Sequence, residues 1–215
     1  MSKLPTIHSV ESIIFDLDYC LFDTDSMRAG IGVLLLRYVR DCGGFAELSD
    51  EALIDFLWRT PPAEVVAHWR LLADQADGFF AFYRNLPVPV EAILYDDVVP
   101  SLETLRTQDI RLFLVTAGVS AFQWRKITHT GLAPYFTEIL VVGPGESPLT
   151  KRAAMQQLIN QYALCPHETL VIGDGAEELA AGRALGMCTV QTMRPGVSCR
   201  DANWHISSLS ELMSQ

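Results

Sequence analysis

Short apolar runs recur along the chain, and each breaks off at polar or glycine residues before a stretch of helical periodicity. Residues 12–15 (SIIF) stop at Asp16, and 111–115 (RLFLV) stop at Thr116-Ala117-Gly118. Residues 139–142 (ILVV) stop at Gly143, 169–172 (TLVI) stop at Gly173-Asp174, and 187–191 (MCTVQ) form a fifth run. Continuous apolar runs of this length predict strands buried on both faces. The spacing between them predicts helices over 98–106, 120–130, 150–162 and 177–185. Strand alternating with helix predicts right-handed βαβ units and a parallel sheet. A short closing helix is expected over 206–213, with Ser207 or Ser208 as its cap.

The segment from Asp23 to Ile93 interrupts this alternation. Helical periodicity runs through 27–39, 50–58, 63–72 and 78–83, punctuated by Pro61-Pro62, Pro87 and Pro89. A helical block inserted after the first strand predicts a small separate domain. Trp58, Trp69 and Phe79 fall at its apolar positions and are expected mainly in its core.

Composition narrows the functional classes. The 215 residues suffice for one α/β core plus a small insert. A formal net charge of -10 and a pI near 4.9 leave no basic footprint for a nucleic-acid polymer. That charge also repels phosphorylated small molecules at long range, so a phosphate site must carry its own local positive charge. The apolar helical stretch 31–36 is cut short by Arg37, and no membrane span is expected. The first twelve residues, MSKLPTIHSVES, lack the apolar core of a secretory signal. Five cysteines without a CxxC pair read as reduced thiols of a cytoplasmic protein, and the scattered histidines argue against structural zinc.

Ligands of such sheets bind at the carboxyl ends of the strands. There the sequence places Asp16, Asp18, Thr116 and Asp174, while Lys151 opens the helix after the third strand. Three carboxylates in one cleft repel one another, and a hard divalent cation relieves the repulsion. Magnesium takes a few carboxylates, keeps several waters and shares its remaining shell with phosphate. Lys151, the Thr116 hydroxyl and the backbone after it then suit the other phosphate oxygens. The set predicts phosphoryl transfer, with Mg2+ as cofactor and a small phosphate ester as substrate.

These residues carry a resemblance. FDLDYCLFDT (15–24), LVTAG (114–118), Lys151 and VIGDGAEELAAGRALGM (171–187) resemble, in order, motifs I to IV of the haloacid-dehalogenase superfamily. The resemblance implies a Rossmann-like, doubly wound parallel α/β core over 1–22 and 94–215, with an inserted all-helical C1-type cap over 23–93. It implies that Asp16 attacks phosphorus to give an aspartyl-phosphate. Asp18 then protonates the leaving oxygen and later activates water. Thr116, Ala117 and Lys151 are implied to bind phosphate, and Asp16, the Asp18 carbonyl, Asp174 and Glu178 to hold magnesium. A carboxylate at Asp18 favours phosphotransfer over dehalogenation.

Two positions depart from the family pattern. Tyr19-Cys20 stands where glycine followed by threonine or valine is usual, so the nucleophile loop is expected to be looser, and oxidation-sensitive if the thiol is exposed. Glu178 stands where aspartate is commoner, with Glu177 as a competitor. From the cap, Trp58, Arg59, His68, Trp69, Arg70, Phe79, Phe82, Tyr83 and Arg84 are candidates for substrate contact. The leading expectation is a phosphatase of a small phosphorylated metabolite, as monomer or homodimer. The alternatives are a sugar-phosphate mutase and a non-catalytic protein on the same fold.

Overall fold

The computed structural model describes residues 7–143, 146 and 150–213. The first six residues, on which part of the leader reading rests, lie outside the described residues. β1 (Ser12–Phe15) is buried along its whole length and pairs in parallel with β4 (Arg111–Ala117) on one side and β6 (Thr169–Gly173) on the other. With β5 (Glu138–Val142), β7 (Cys188–Thr192) and β8 (Trp204–Ile206) this makes a six-stranded parallel sheet of order β5-β4-β1-β6-β7-β8.

Both faces of the sheet are covered, which is why its strands read as unbroken apolar runs. Ile13, Phe15, Leu112, Leu114 and Ile172 point to the face packed with Leu102 and Leu105 of α5 (Val98–Thr107) and Ile127 of α6 (Ser120–His129). Their neighbours Ile14, Phe113, Val115 and Val171 point to the other face. There they meet Ala154, Met155 and Leu158 of α7 (Lys151–Tyr162) and Ala181 of α8 (Ala176–Ala184). The odd–even split is the two-residue period of a strand sorted into two core layers.

The tail corrects its expectation. Residues 204–206 add the sixth strand, pairing Val190 with Trp204 and Thr192 with Ile206, and only Leu209–Met213 turns helically, as a 3-10 segment. The carboxylate of Asp97 caps that turn, accepting from the Leu209 N–H at 2.6 Å and the Ser208 hydroxyl at 3.0 Å. Of the two expected caps, Ser208 serves, its hydroxyl accepting the Ser210 N–H at 3.2 Å, whereas Ser207 does not: its own N–H donates to Glu211 at 2.7 Å.

The inserted block holds α1 (Arg28–Asp41), α2 (Asp50–Arg59), α3 (Pro62–Trp69) and α4 (Ala73–Asn85). α3 stops at Trp69 because Arg70 turns left-handed at φ 54°. α4 starts five residues before its apolar pattern because the Gln75 side chain accepts from the Leu72 N–H at 3.0 Å. Two short strands, β2 (Phe22–Asp23) and β3 (Ile93–Leu94), pair antiparallel and tie the two ends of the block together. The block's buried Leu53, Val65 and Phe79 belong to the same apolar cluster as one face of the sheet.

Candidate active site

The chain leaves β1 through a tight turn. The Asp16 N–H donates to the Ile172 carbonyl at 2.8 Å, and the Leu17 carbonyl accepts from the N–H groups of Leu21 and Phe22. The turn puts Tyr19 at φ 52°, the left-handed region that favours glycine. Side chains from elsewhere hold it there. The Tyr19 N–H donates to the Thr24 hydroxyl at 3.2 Å, and the Thr192 hydroxyl donates to the Tyr19 carbonyl at 3.3 Å. Arg194 donates to the Cys20 carbonyl, is paired with Asp97 at 3.0 Å, and lies 4.1 Å over the Tyr95 ring. Cys20 itself is fully buried, and its thiol donates to the Ile172 carbonyl at 3.5 Å. Burial pushes that thiol's pKa well up, so it is an inert packing group and the condition for oxidation sensitivity is not met.

Next to this turn, Asp16, Asp174 and Glu178 bring carboxylate oxygens within 4.8 Å of one another. Lys151, the first residue of α7, reaches into the group and pairs with Asp16 at 2.8 Å and Glu178 at 2.9 Å. Thr150 caps that helix by accepting the Ala153 N–H, which fixes where Lys151 departs. Glu178 sits in the first turn of α8 and accepts the Gly175 N–H. A Cβ on Gly173 would lie 2.6 Å from the Glu178 side chain, so the GDG turn leaves just the room this longer acid needs. Glu177 is exposed and accepts only a long contact from the Lys151 N–H, which leaves Glu178 as the acid in the cluster.

Three carboxylates face one ammonium group here. Burial, and then the neighbouring carboxylates, push the Asp174 carboxyl up to about 8. Burial likewise lifts Asp16 to about 7, with Lys151 opposing and Glu178 and Asp18 adding. Burial works on Glu178 too, but Lys151 outweighs it and holds this acid below its ordinary value. The donors are all hard oxygens and carry surplus negative charge. That fits an oxygen-seeking divalent cation.

The carboxylate of Asp18 is not in this group. It turns the other way and accepts from Lys126 at 2.6 and 2.7 Å, from Gln123 at 3.0 Å and from Thr24 at 2.8 Å. Burial would raise Asp18, but Lys126 and the donors from Gln123 and Thr24 outweigh it and hold it below the usual carboxylate range. Gln123 also donates to the Thr116 hydroxyl at 2.7 Å and the Ala117 carbonyl at 2.8 Å, joining the end of β4 to Asp18. Thr116 is buried, and Ala117 is exposed at the strand's end.

Thr24, Gln123 and Lys126 were not singled out from the sequence. The available signal was the helical period of 120–129: positions 123, 126 and 127 share the buried face of α6, and two of the three are polar. A polar pair on a core-facing stripe needs a partner.

A cavity of about 570 Å³ opens beside Asp18, lined by Asp18, Lys126, Gly118 and side chains of the inserted block. Of the candidates from that block, Trp58, Arg59 and Tyr83 reach it, while Trp69 and Phe79 pack edge to face at 6.1 Å in the block's interior. Trp58 does both: it is half-buried against the main apolar cluster, as expected, and it also lines the cavity. Its indole N–H donates to Asp25 at 2.9 Å, and the Tyr19 hydroxyl donates to the same oxygen at 2.8 Å. The tyrosine at the usual glycine position thus meets the block on a shared carboxylate.

A profile of the haloacid dehalogenase-like hydrolases matches residues 10–186. The chain belongs to the haloacid dehalogenase-like hydrolases. Among proteins of known name, the hydrolase is 26% identical to the phosphoglycolate phosphatase of Nitrosococcus oceani over 210 residues, covering 89% of each chain. It is 21% identical to the pyrophosphatase PpaX of Bacillus pumilus over 184 residues, 84% of this chain and 82% of that one. Its fold matches a haloacid dehalogenase-like family protein from Streptococcus pneumoniae with TM-score 0.73 at 18% identity, over 96% of this chain and 98% of the other. It also matches the hydrolase YfnB of Bacillus subtilis, solved bound to magnesium, with TM-score 0.67 at 22% identity, over 95% and 97%. Among the described residues of the hydrolase no helix is long and apolar enough to cross a membrane. All five of its cysteines are free thiols.

Proposed function

We propose that this hydrolase is a magnesium-dependent phosphatase that works through an aspartyl-phosphate on Asp16. The observation that carries the reading is the buried cluster in which Lys151 sits 2.8 Å from Asp16 and 2.9 Å from Glu178, beside Asp174. Asp16, Asp174 and Glu178 would hold the cation with the Asp18 carbonyl, and a cation there supplies charge neutralisation for the carboxylates and the phosphoryl oxygens.

The steps belong to the chain's own residues. An Asp16 oxygen bonds to phosphorus as the ester P–O bond breaks, and Asp18 delivers its proton to the leaving oxygen. Asp18 then takes a proton from the water that attacks the aspartyl-phosphate. The Asp16–phosphorus bond breaks, phosphate leaves, Asp16 is restored as the carboxylate and Asp18 as the acid. Lys151 and the Thr116 hydroxyl stabilise the charge on the phosphoryl oxygens. The incoming phosphate's negative charge raises Asp18 toward its acid form, against the pull of Lys126. The helical block acts as a cap over the site, with its boundaries at 23–93, and the unpaired thiols suit a cytoplasmic setting.

The test is phosphate release from a generic aryl phosphate. Release that needs magnesium, stops with chelator and is lost in Asp16→Asn is the expected result. Turnover that persists with chelator, or in Asp16→Asn, rules the proposal out.

A further inference from the structure

The cavity meets the turn after β1 at Asp18, beside the acid cluster. Asp18 lines the cavity, whereas Asp16 and Asp174 do not. Under the proposed chemistry Asp18 is the group that faces the leaving oxygen, so the cavity is where the rest of the substrate goes. At about 570 Å³ it falls within the range of about 300–1,000 Å³ usual for small-molecule sites.

Its walls are apolar. Ile31 and Leu35 from α1, Leu57 from α2, Phe80 and Tyr83 from α4, and Phe122 from α6 all face it. Two cations contribute to the lining, one buried and one exposed. Lys126 is 3% exposed and grips both oxygens of Asp18. Arg59 is more than half exposed, and its Nε meets Asp55 at 3.0 Å, a carboxylate it shares with Arg28, so water screens its charge on the cavity's open side. The remaining charged groups of the lining, Glu64 and Glu177, are acidic.

From this we infer that the substrate is a phosphomonoester whose alcohol portion is uncharged and predominantly apolar, with room for an aromatic ring. A second carboxylate or phosphate on that alcohol would enter an apolar cavity whose one buried cation, Lys126, is already held by Asp18, and would face Asp18 and Glu64. Losing its hydration there costs more than the contact returns. An apolar group gains the transfer free energy of its buried surface instead. The inference rests on the phosphatase reading and narrows its substrate class.

Three primary alkyl esters with comparable leaving alcohols make the test: benzyl phosphate, glycerol phosphate and phosphoglycolate, with magnesium. The expected order of kcat/KM is benzyl first and phosphoglycolate last, with benzyl ahead by at least about tenfold. Calorimetry with matched non-hydrolysable phosphonates gives a second readout, and phenethylphosphonate should bind at least about tenfold tighter than carboxyethylphosphonate. Phe80→Lys adds an unpaired cation to the wall and should shrink the benzyl-to-glycolate ratio about tenfold. Phosphoglycolate turned over as well as benzyl phosphate, or carboxyethylphosphonate bound as tightly as its aromatic counterpart, overturns the inference while leaving the phosphatase reading standing. Hydrolysis of none of the esters with the phosphonate preference intact does the reverse: it removes the phosphatase reading and supports the cavity's preference.

Discussion

Asp16 and Asp18 lie two residues apart on one turn, yet their surroundings push them in opposite directions. Asp16 enters a buried group of acids with one shared lysine, and its carboxyl is raised to about 7. Asp18 faces away, receives Lys126, Gln123 and Thr24, and is held below its ordinary value. The first environment has one lysine for three carboxylates and suits a cation. The second has its positive charge built in and sits on the rim of an apolar cavity. One turn of backbone therefore presents two carboxylates in opposite electrostatic settings, set by which helix supplies the nearest lysine: α7 for Asp16, α6 for Asp18.

The largest effect expected from disturbing this contrast comes at Lys151. Lys151→Met leaves the buried acids of the cluster uncompensated. It should lower kcat/KM by about a thousandfold or more and destabilise the metal-free protein by about 3–5 kcal/mol at neutral pH. Steady-state kinetics and thermal unfolding of the variant measure the two together. A stable variant with near-normal turnover would mean that Lys151 is not the counter-ion of the site.

Lys126→Met acts on the other carboxylate. Removing the ammonium group raises the Asp18 pKa, so its acid form persists to higher pH. The basic limb of the pH–rate profile should move upward, with kcat reduced by about tenfold to a hundredfold, and Lys126→Arg should recover part of the loss. A fall in kcat with an unmoved profile would assign Lys126 a purely structural part.

The raised acids make a third prediction. In the folded, metal-free protein Asp16 and Asp174 hold protons up to about 7 and about 8, whereas the unfolded chain releases them near the ordinary carboxylate value. Their contribution to stability is therefore fully present at low pH and is lost as pH rises through those values. A bound cation requires the ionised forms and reverses the trend. The upward shift in melting temperature caused by magnesium should be small below about pH 6 and grow toward about pH 8. A shift independent of pH would place the cation elsewhere.

What the sequence made legible follows from the physics of each element. The strands carrying Asp16, Thr116 and Asp174 are buried on both faces, so they stand out as apolar runs that stop at polar residues. Strands β2 and β3 have two residues each, too few to show a period, and β8 has three. The grip on Asp18 escaped notice because Gln123 and Lys126 belong to a helix whose pattern reads as ordinary packing. Trp58 packs against the core as its apolar position predicts, and its indole N–H also reaches Asp25 at the cavity, a second role that periodicity does not reveal. The loop at Tyr19-Cys20 is held through Thr192 and Arg194, residues more than 170 positions away.

That long-range hold implies the smallest effect. Cys20→Thr restores the usual family residue, but the turn is already fixed by Arg194 and Thr192, so stability should change by no more than about 1 kcal/mol and turnover should stay close to that of the parent.

The central claim is that Asp16, and not Asp18, takes the phosphoryl group. Acid-quenched single turnovers with radiolabelled substrate test it directly, because the Asp18→Asn protein loses the base that activates water. The account predicts covalently bound label on the peptide containing Asp16 in Asp18→Asn, and none in Asp16→Asn. Label retained in Asp16→Asn, or mapped to any other residue, would contradict it.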